Sequence, residues 1–168
     1  MISDKMCKAL NNQVNAELFS SYLYLGMSSW FSERSLSGFA SWMRVQAQEE
    51  LSHGMKIYDY ILERGGKVEL GAIAQPESVW ESPVAVVKEV VNHEAKVTGL
   101  INDLVDVALD ERDHAANIFL QWFVSEQVEE EASVGEVFER MKMVDGNSGG
   151  MFAMDMELGK RVFTVPAE

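Results

Sequence analysis

The sequence predicts an all-α fold, a bundle of four long helices with one long crossover and a short fifth helix at the C-terminal end. Three observations carry that expectation. Proline is scarce, three in 168 residues, and Pro76, Pro83 and Pro166 all fall outside the longest periodic segments. Those segments are filled with Leu, Met, Ala, Glu and Lys, which lose little on entering a helix. Apolar positions within them recur at spacings of three and four, the pattern of a helix with one buried stripe. A chain of this length suits one domain, residues 1–168, with a sizeable core.

Ser3 or Asp4 can cap a first helix that runs to about Glu33. Leu10, Val14, Glu17, Leu18, Ser21, Tyr24, Leu25 and Ser28 form its stripe, with the Glu17 carboxylate set among apolar neighbours. Ser35 to Gly38 break the chain, and a second helix runs from about Gly38 to Arg64, stopped by Gly65-Gly66. So short a connection makes the pair an antiparallel hairpin. Lys67 to Ser82 has no helical pattern. At about 3.3 Å per extended residue it can run the length of a helix of about 27 residues, near 40 Å. The third helix is therefore expected parallel to the second.

Ser82-Pro83 is an N-cap followed by proline in the first turn, and the third helix continues to about Asp110. Val87, Val90, Val91, Glu94, Val97, Ile101 and Leu104 make its inner stripe, again with one carboxylate. After Asp110 to Asp113 a fourth helix reaches about Val144, carrying Phe119, Trp122, Phe123, Glu126, Gln127 and Glu130. Asp145 to Gly150 break it, so the bundle spans about residues 3–144 and the short fifth helix about 151–162, before a tail containing Pro166. Two hairpins thus echo each other weakly: an inward Glu on the leading helix, then a polar pair at i, i+3 on the following one.

Composition narrows the function. Hydrophobic residues make up 47% and charged residues 24%, ordinary for a globular protein. No uninterrupted apolar run is long enough to span a membrane. Met1 to Met6 lack the basic-then-apolar order of a secretory signal, so the expected location is the cytoplasm. Cys7 is alone, which leaves neither an internal disulfide nor a cysteine-based metal site. A net charge of −13 argues against nucleic acid as a partner and attracts cations.

The chemistry concentrates in Gln46-Ala47-Gln48-Glu49-Glu50-Leu51-Ser52-His53. Glu50 and His53, three residues apart, project from one helical face. The other helices contribute Glu17, Glu94 and the pair Gln127 and Glu130. Carboxylates with one or two imidazoles are what a pair of carboxylate-bridged metal ions requires. Four glutamates balance the charge of two divalent ions, and buried charges are tolerated when paired or metal-bound. Glu50 lies midway in the motif and is assigned as the bridge. An isolated Glu or His at this spacing is usually a solvated helix face, but four Glu on four core stripes are not explained that way.

The set Glu17, Tyr24, Glu49-Glu50-x-x-His53, Glu94, Trp122 and Glu126-Gln127-x-x-Glu130 resembles the non-haem ferritins of bacteria and archaea. Asn15-Ala16-Glu17-Leu18, Met43-Arg44-Val45-Gln46 and Phe119-Leu120-Gln121-Trp122 agree as well, and the resemblance covers about residues 3 to 162. It implies a ferritin-like four-helix bundle, assembled as a hollow homo-oligomer of about 24 subunits. It also implies a ferroxidase: Fe(II) is oxidised by O2 or H2O2 at a di-iron site, and Fe(III) is stored inside as hydrated oxide. Carried over by position, Glu17, Glu50 and His53 hold one iron; Glu50, Glu94 and Glu130 hold the other, with Gln127 nearby. Glu49, Glu126, Glu129 and Glu130 would form a third iron site. Tyr24 and Trp122 match aromatics that lie near the iron centre and can supply electrons.

Where symmetric members of the family carry Glu-x-x-His on both hairpins, the second here reads Gln127-x-x-Glu130. An amide and a carboxylate in place of a carboxylate and an imidazole make the second position harder and weaker, which suits transit of iron. The haem-binding bacterioferritins place Met after the bridging Glu; Leu51 stands there instead, so no haem is expected. One cysteine excludes a rubrerythrin-type site, and di-iron oxygenases generally need longer chains. Mini-ferritins build their sites between subunits, unlike the within-chain set here. The contrasting class is a non-catalytic helical interaction module whose polar core residues fix packing. His93 is expected away from the site as packing or surface, His114 as surface, and the ten Met residues as core and interface filler.

Overall fold

The computed structural model describes residues 1–164 and builds five helices: α1 (Asp4–Ser32), α2 (Ser37–Glu63), α3 (Pro83–Asp110), α4 (His114–Val144) and α5 (Ser148–Leu158). Val165 and Pro166 of the tail lie outside the described residues. The four long helices form the expected bundle. Their starts follow local chemistry. Ser3 accepts from the Met6 amide at 3.1 Å, Ser82 from Ala85 at 3.1 Å and Asp113 from Ala116 at 3.0 Å. Gly65, at φ 71°, takes the left-handed position after α2 that glycine occupies without strain.

Contacts at one end fix the topology. The Ile2 amide donates to the Arg64 carbonyl at 3.2 Å, and the Arg64 guanidinium grips both oxygens of Asp113 at 3.0 and 3.1 Å. The start of α1, the end of α2 and the start of α4 therefore meet. It follows that α2 and α3 run parallel, and residues 67–82 must travel the length of the bundle. They do so along α1. Asn11 donates to the Lys67 carbonyl at 2.9 Å and accepts from the Glu69 amide at 2.7 Å, and Asn15 donates to the Ala72 carbonyl at 3.2 Å. At the far end Trp80 packs edge-on against Trp30, ring centres 6.2 Å apart.

The apolar interior is divided into two blocks. One packs Leu10 and Val14 of α1 with Ile57 and Ile61 of α2, Ile101 of α3 and Leu120 of α4. The other packs Tyr24 and Phe31 with Phe39, Met43, Val87 and Val134. Between them lies a belt of buried polar groups: Gln13, Glu17, Gln46, Glu50, His53, Glu94, Gln127 and Glu130.

Two expectations need correction. Leu25 is 48% exposed, because one residue beyond Tyr24 is about 100° round the helix and off the buried stripe. The fifth helix starts at Ser148, not Met151, because Asn147 caps it by accepting from the Gly150 amide at 3.0 Å; it ends at Leu158, short of Val162. Its docking supplies what α2 lacks. Leu36 offers no side-chain cap, and Asp155 of α5 accepts from the buried Phe39 amide at 3.0 Å instead. Gly38 permits this approach, since a Cβ there would stand 1.6 Å from the Asp155 carbonyl oxygen. Among the described residues no helix is long and apolar enough to cross a membrane.

Gly38→Ala is therefore expected to lift α5 off the bundle at a cost of about 1–3 kcal/mol, the range for overpacking. A lower chemical-denaturation midpoint and faster proteolysis around residues 145–150 would report it. An unchanged midpoint would contradict the docking described.

Candidate metal centre

The belt gathers one group of ligands tightly. One ligand atom each from Glu17 of α1 and from Glu50 and His53 of α2 lie within 4.8 Å of one another, all three side chains buried. Helical spacing sets Glu50 and His53 on one face, with Nδ1 of His53 3.8 Å from Glu50 Oε2. Gly54 brings α1 close: a Cβ there would sit 3.3 Å from the Glu17 Cβ. Gln13, one turn before Glu17, donates to its Oε1 at 2.8 Å. The ring of His53 is wedged edge-on against Trp122 and Phe123, centroids 5.4 and 6.1 Å away.

Polar satisfaction then separates this trio from its neighbours. Among the described residues, Glu17 Oε2, Glu50 Oε1 and His53 Nε2 are buried without a hydrogen-bond partner. Buried polar atoms are normally paired, so orphans on three converging residues call for a missing partner. Two carboxylate oxygens and an imidazole nitrogen fit a divalent transition metal such as Fe(II).

The other acidic residues foreseen here do not join that tight group. Glu94 accepts from the Tyr24 hydroxyl and from Gln127 Nε2 at 3.3 Å. Glu130 accepts from Gln46 Nε2 at 3.1 Å. Glu49 is gripped by Arg161 through both oxygens, at 2.8 and 2.9 Å. Glu126 is partly exposed, with Oε1 3.9 Å from His53 Nε2, and Glu129 is exposed. The glutamines one turn before Glu17 and Glu50, together with Gly54 and Arg161, are parts of the site that sequence reasoning did not assign. The i−4 placement of Gln13 and Gln46 was the available signal. Arg161 offered none, since its reach depends on how α5 docks.

Burial dominates the electrostatics. It pushes the carboxyls of Glu17 and Glu50 well above the usual range, and their mutual repulsion adds to the effect on Glu17, as that of Glu94 does on Glu50. Burial raises Glu94 to about 7, against the donated Tyr24 hydrogen bond, and raises Glu49 to about 7 against Arg161. The phenol of Tyr24 is also pushed up, by burial and then by the Glu94 charge. His93 faces the Ser20 hydroxyl at 2.7 Å and lies edge-on to Tyr24, and burial lowers it to about 4, a packing role. His114 is exposed, as is Leu51, at 46%.

A family model described as a ferritin-like domain matches residues 7–144. The bacterial non-heme ferritin of Bacteroides fragilis (strain 638R) is 42% identical over 161 residues, 96% of this chain and 100% of the relative. That of Campylobacter jejuni is 37% identical over 155 residues, 92% of this chain and 93% of the relative. A closed form of the Archaeoglobus fulgidus ferritin, engineered by site-directed mutagenesis, superposes with a TM-score of 0.97 at 49% identity, covering 98% of this chain and 100% of that one. The open-pore ferritin from the same hyperthermophilic archaeon gives 0.95 at 48%, covering 96% and 100%.

The raised carboxyls give the metal-free protein a definite pH response. Below pH 4.5 both folded and unfolded chains hold these protons; above it the unfolded chain releases them while folded Glu94 and Glu49 keep theirs to about 7. The folded state binds more protons across that window, so their contribution to stability falls as pH rises through it. The melting temperature is expected to decline from pH 4.5 to about 7 and the slope to flatten when a divalent cation replaces the protons. A melting temperature that rises across the window without metal would contradict this.

Proposed function

The chain belongs to the ferritin family, whose members store iron, and on that basis we propose that it is also a ferroxidase. Fe(II) is the substrate. Glu17, Glu50 and His53 take one ion, Glu50 bridges to a second, and Glu94 and Glu130 complete the pair with Gln127 beside them. Each Fe(II) gives one electron to O2, which takes up two protons and leaves as H2O2. With H2O2 as oxidant the same two electrons and two protons yield two waters. The Fe(III) product is stored as hydrated oxide within a hollow homo-oligomeric shell, a 24-mer.

The observation that carries this reading is the trio of orphaned ligand atoms on Glu17, Glu50 and His53. Four buried glutamates match two divalent ions in charge, and metal binding displaces the protons that burial retains on Glu17, Glu50 and Glu94. Tyr24 is the residue that can add an electron, since its hydroxyl already donates to Glu94 and its proton has an acceptor. Trp122, edge-on to His53, is the second aromatic in reach.

The two positions are unequal. The first is preassembled and unsatisfied, whereas Glu94 and Glu130 are held by hydrogen bonds that metal must displace. Iron therefore binds tightly at one position and loosely at the other, and it moves on after oxidation. The third set, Glu49, Glu126, Glu129 and Glu130, is a stop on that route.

Glu50→Ala combined with His53→Ala is expected to slow the initial oxidation of Fe(II) on the order of 100-fold or more, since even residues that only support metal ligands cost 10–100-fold. Absorbance of Fe(III) after mixing with aerated Fe(II) reads it. A variant that oxidises iron at the parent rate would end the ferroxidase reading. Anaerobic Fe(II) titration is expected to give one tight and one weaker step per chain; two equally tight steps that retain iron after oxidation would remove the inequality.

A further inference from the structure

The chain carries its own cation into the acidic end of the centre. Asp155 and Gly38 fix α5 against the start of α2, and Gly159 closes that contact, since a Cβ on it would come within 3.2 Å of the Gly38 Cα. Residues that follow α5 are thereby laid beside α2. Arg161, half-buried there, sends one arm of its guanidinium to both carboxylate oxygens of Glu49, at 2.9 and 2.8 Å. The other arm donates to the side-chain oxygen of Gln46.

That second contact reaches further than it first suggests. Once its oxygen is fixed by Arg161, the Gln46 amide can present only its NH2 in the opposite direction, and this donates to Glu130 Oε2 at 3.1 Å. One guanidinium thus holds Glu49 directly and Glu130 through a buried amide. Both carboxylates belong to the third set proposed above. A guanidinium is always charged and more weakly hydrated than an ammonium, so it suits a partly buried carboxylate as counterion.

We propose that Arg161 is a resident counter-cation that competes with divalent metal for Glu49 and, through Gln46, for Glu130. It is a positioning residue and touches none of the reacting atoms. A metal ion arriving at the α5 edge has to push the guanidinium off Glu49. When the ion leaves, the guanidinium returns, so the carboxylates are never left buried without a positive partner. The arrangement keeps the weaker positions weak without removing their ligands, and it links metal transit to the seating of α5. The inference rests on the reading that Glu17, Glu50 and His53 bind metal.

Isothermal titration of the metal-free assembled protein with Zn(II), which is redox-inert, tests it at a salt concentration that screens surface carboxylates. The parent protein is expected to show a tight class of sites and a weaker one. Arg161→Ala should tighten the weaker class on the order of tenfold, within the usual range for coupled sites, and leave the tight class unchanged. Arg161→Lys, which keeps the charge, should stay near the parent, so that the effect belongs to the cation and not to a loosened α5. In a Glu49→Gln background the gain from Arg161→Ala should shrink. An unchanged or weakened second class in Arg161→Ala overturns the proposal, as does equal tightening in Arg161→Ala and Arg161→Lys. Absence of a tight class in the parent, or a tight class that survives Glu50→Ala with His53→Ala, would instead overturn the metal-binding reading.

Discussion

Four glutamates buried at the waist of a helix bundle are the constraint to which the rest of the structure answers. Taking a carboxylate out of water costs several kcal/mol even after relaxation, and like charges at close range raise the cost. The chain meets it in three ways: by retaining protons, by hydrogen bonds from neighbouring amides and phenol, and by admitting cations. The two apolar blocks on either side supply the stability that this belt does not. Helices of 27 to 31 residues are needed because each must cross one block, the belt and the other block without a break.

Satisfaction is distributed unevenly around the belt, and that unevenness has consequences. Gln13 serves one oxygen of Glu17, Gln46 one of Glu130, and Tyr24 with Gln127 both of Glu94. Among the described residues, the atoms of these ligands left fully buried and unserved are one each on Glu17, Glu50 and His53. A metal ion that enters there gives up its water for ligands that have no protein partner to lose. At Glu94 or Glu130 it must first break a hydrogen bond. The difference between the two positions is thus built from donors around the ligands as much as from the ligands themselves.

Much of this was legible in the sequence because the carboxylates interrupt stripes that are otherwise Val, Leu and Ile. Glu17 and Glu94 stand out for that reason alone, and both are buried as expected. The crossover was legible from its length and lack of period, and caps at Ser3, Ser82 and Asp113 follow local rules. What escaped were pairings between residues far apart in the chain. Gln46 could have turned toward Glu50 on its own helix; only the placement of α4 sends it to Glu130. Asp155 capping α2, and Arg161 on Glu49, depend on the angle at which α5 returns. No local pattern encodes that angle. Even the start of α5 was hidden, because the glycines that suggest a break also fill the first turn after the Asn147 cap.

On the ferroxidase reading proposed above, a storage protein has to release what it oxidises, and this sets a different demand from that on a site with a resident metal. Tight, fully satisfied coordination would make the first turnover the last. Protons offer one remedy. With Glu94 and Glu49 raised to about 7, a proton would compete with metal for the same oxygens near neutral pH if both residues bind iron as proposed, and an ion would have a partner to exchange with on arrival and departure. Hydrogen-bond donors offer another on that reading, since Tyr24 and Gln127 stand ready to reclaim Glu94, and Gln46 to reclaim Glu130. On that reading the cost of four buried charges is offset both with and without metal, and the site can be emptied without unfolding the belt that holds it.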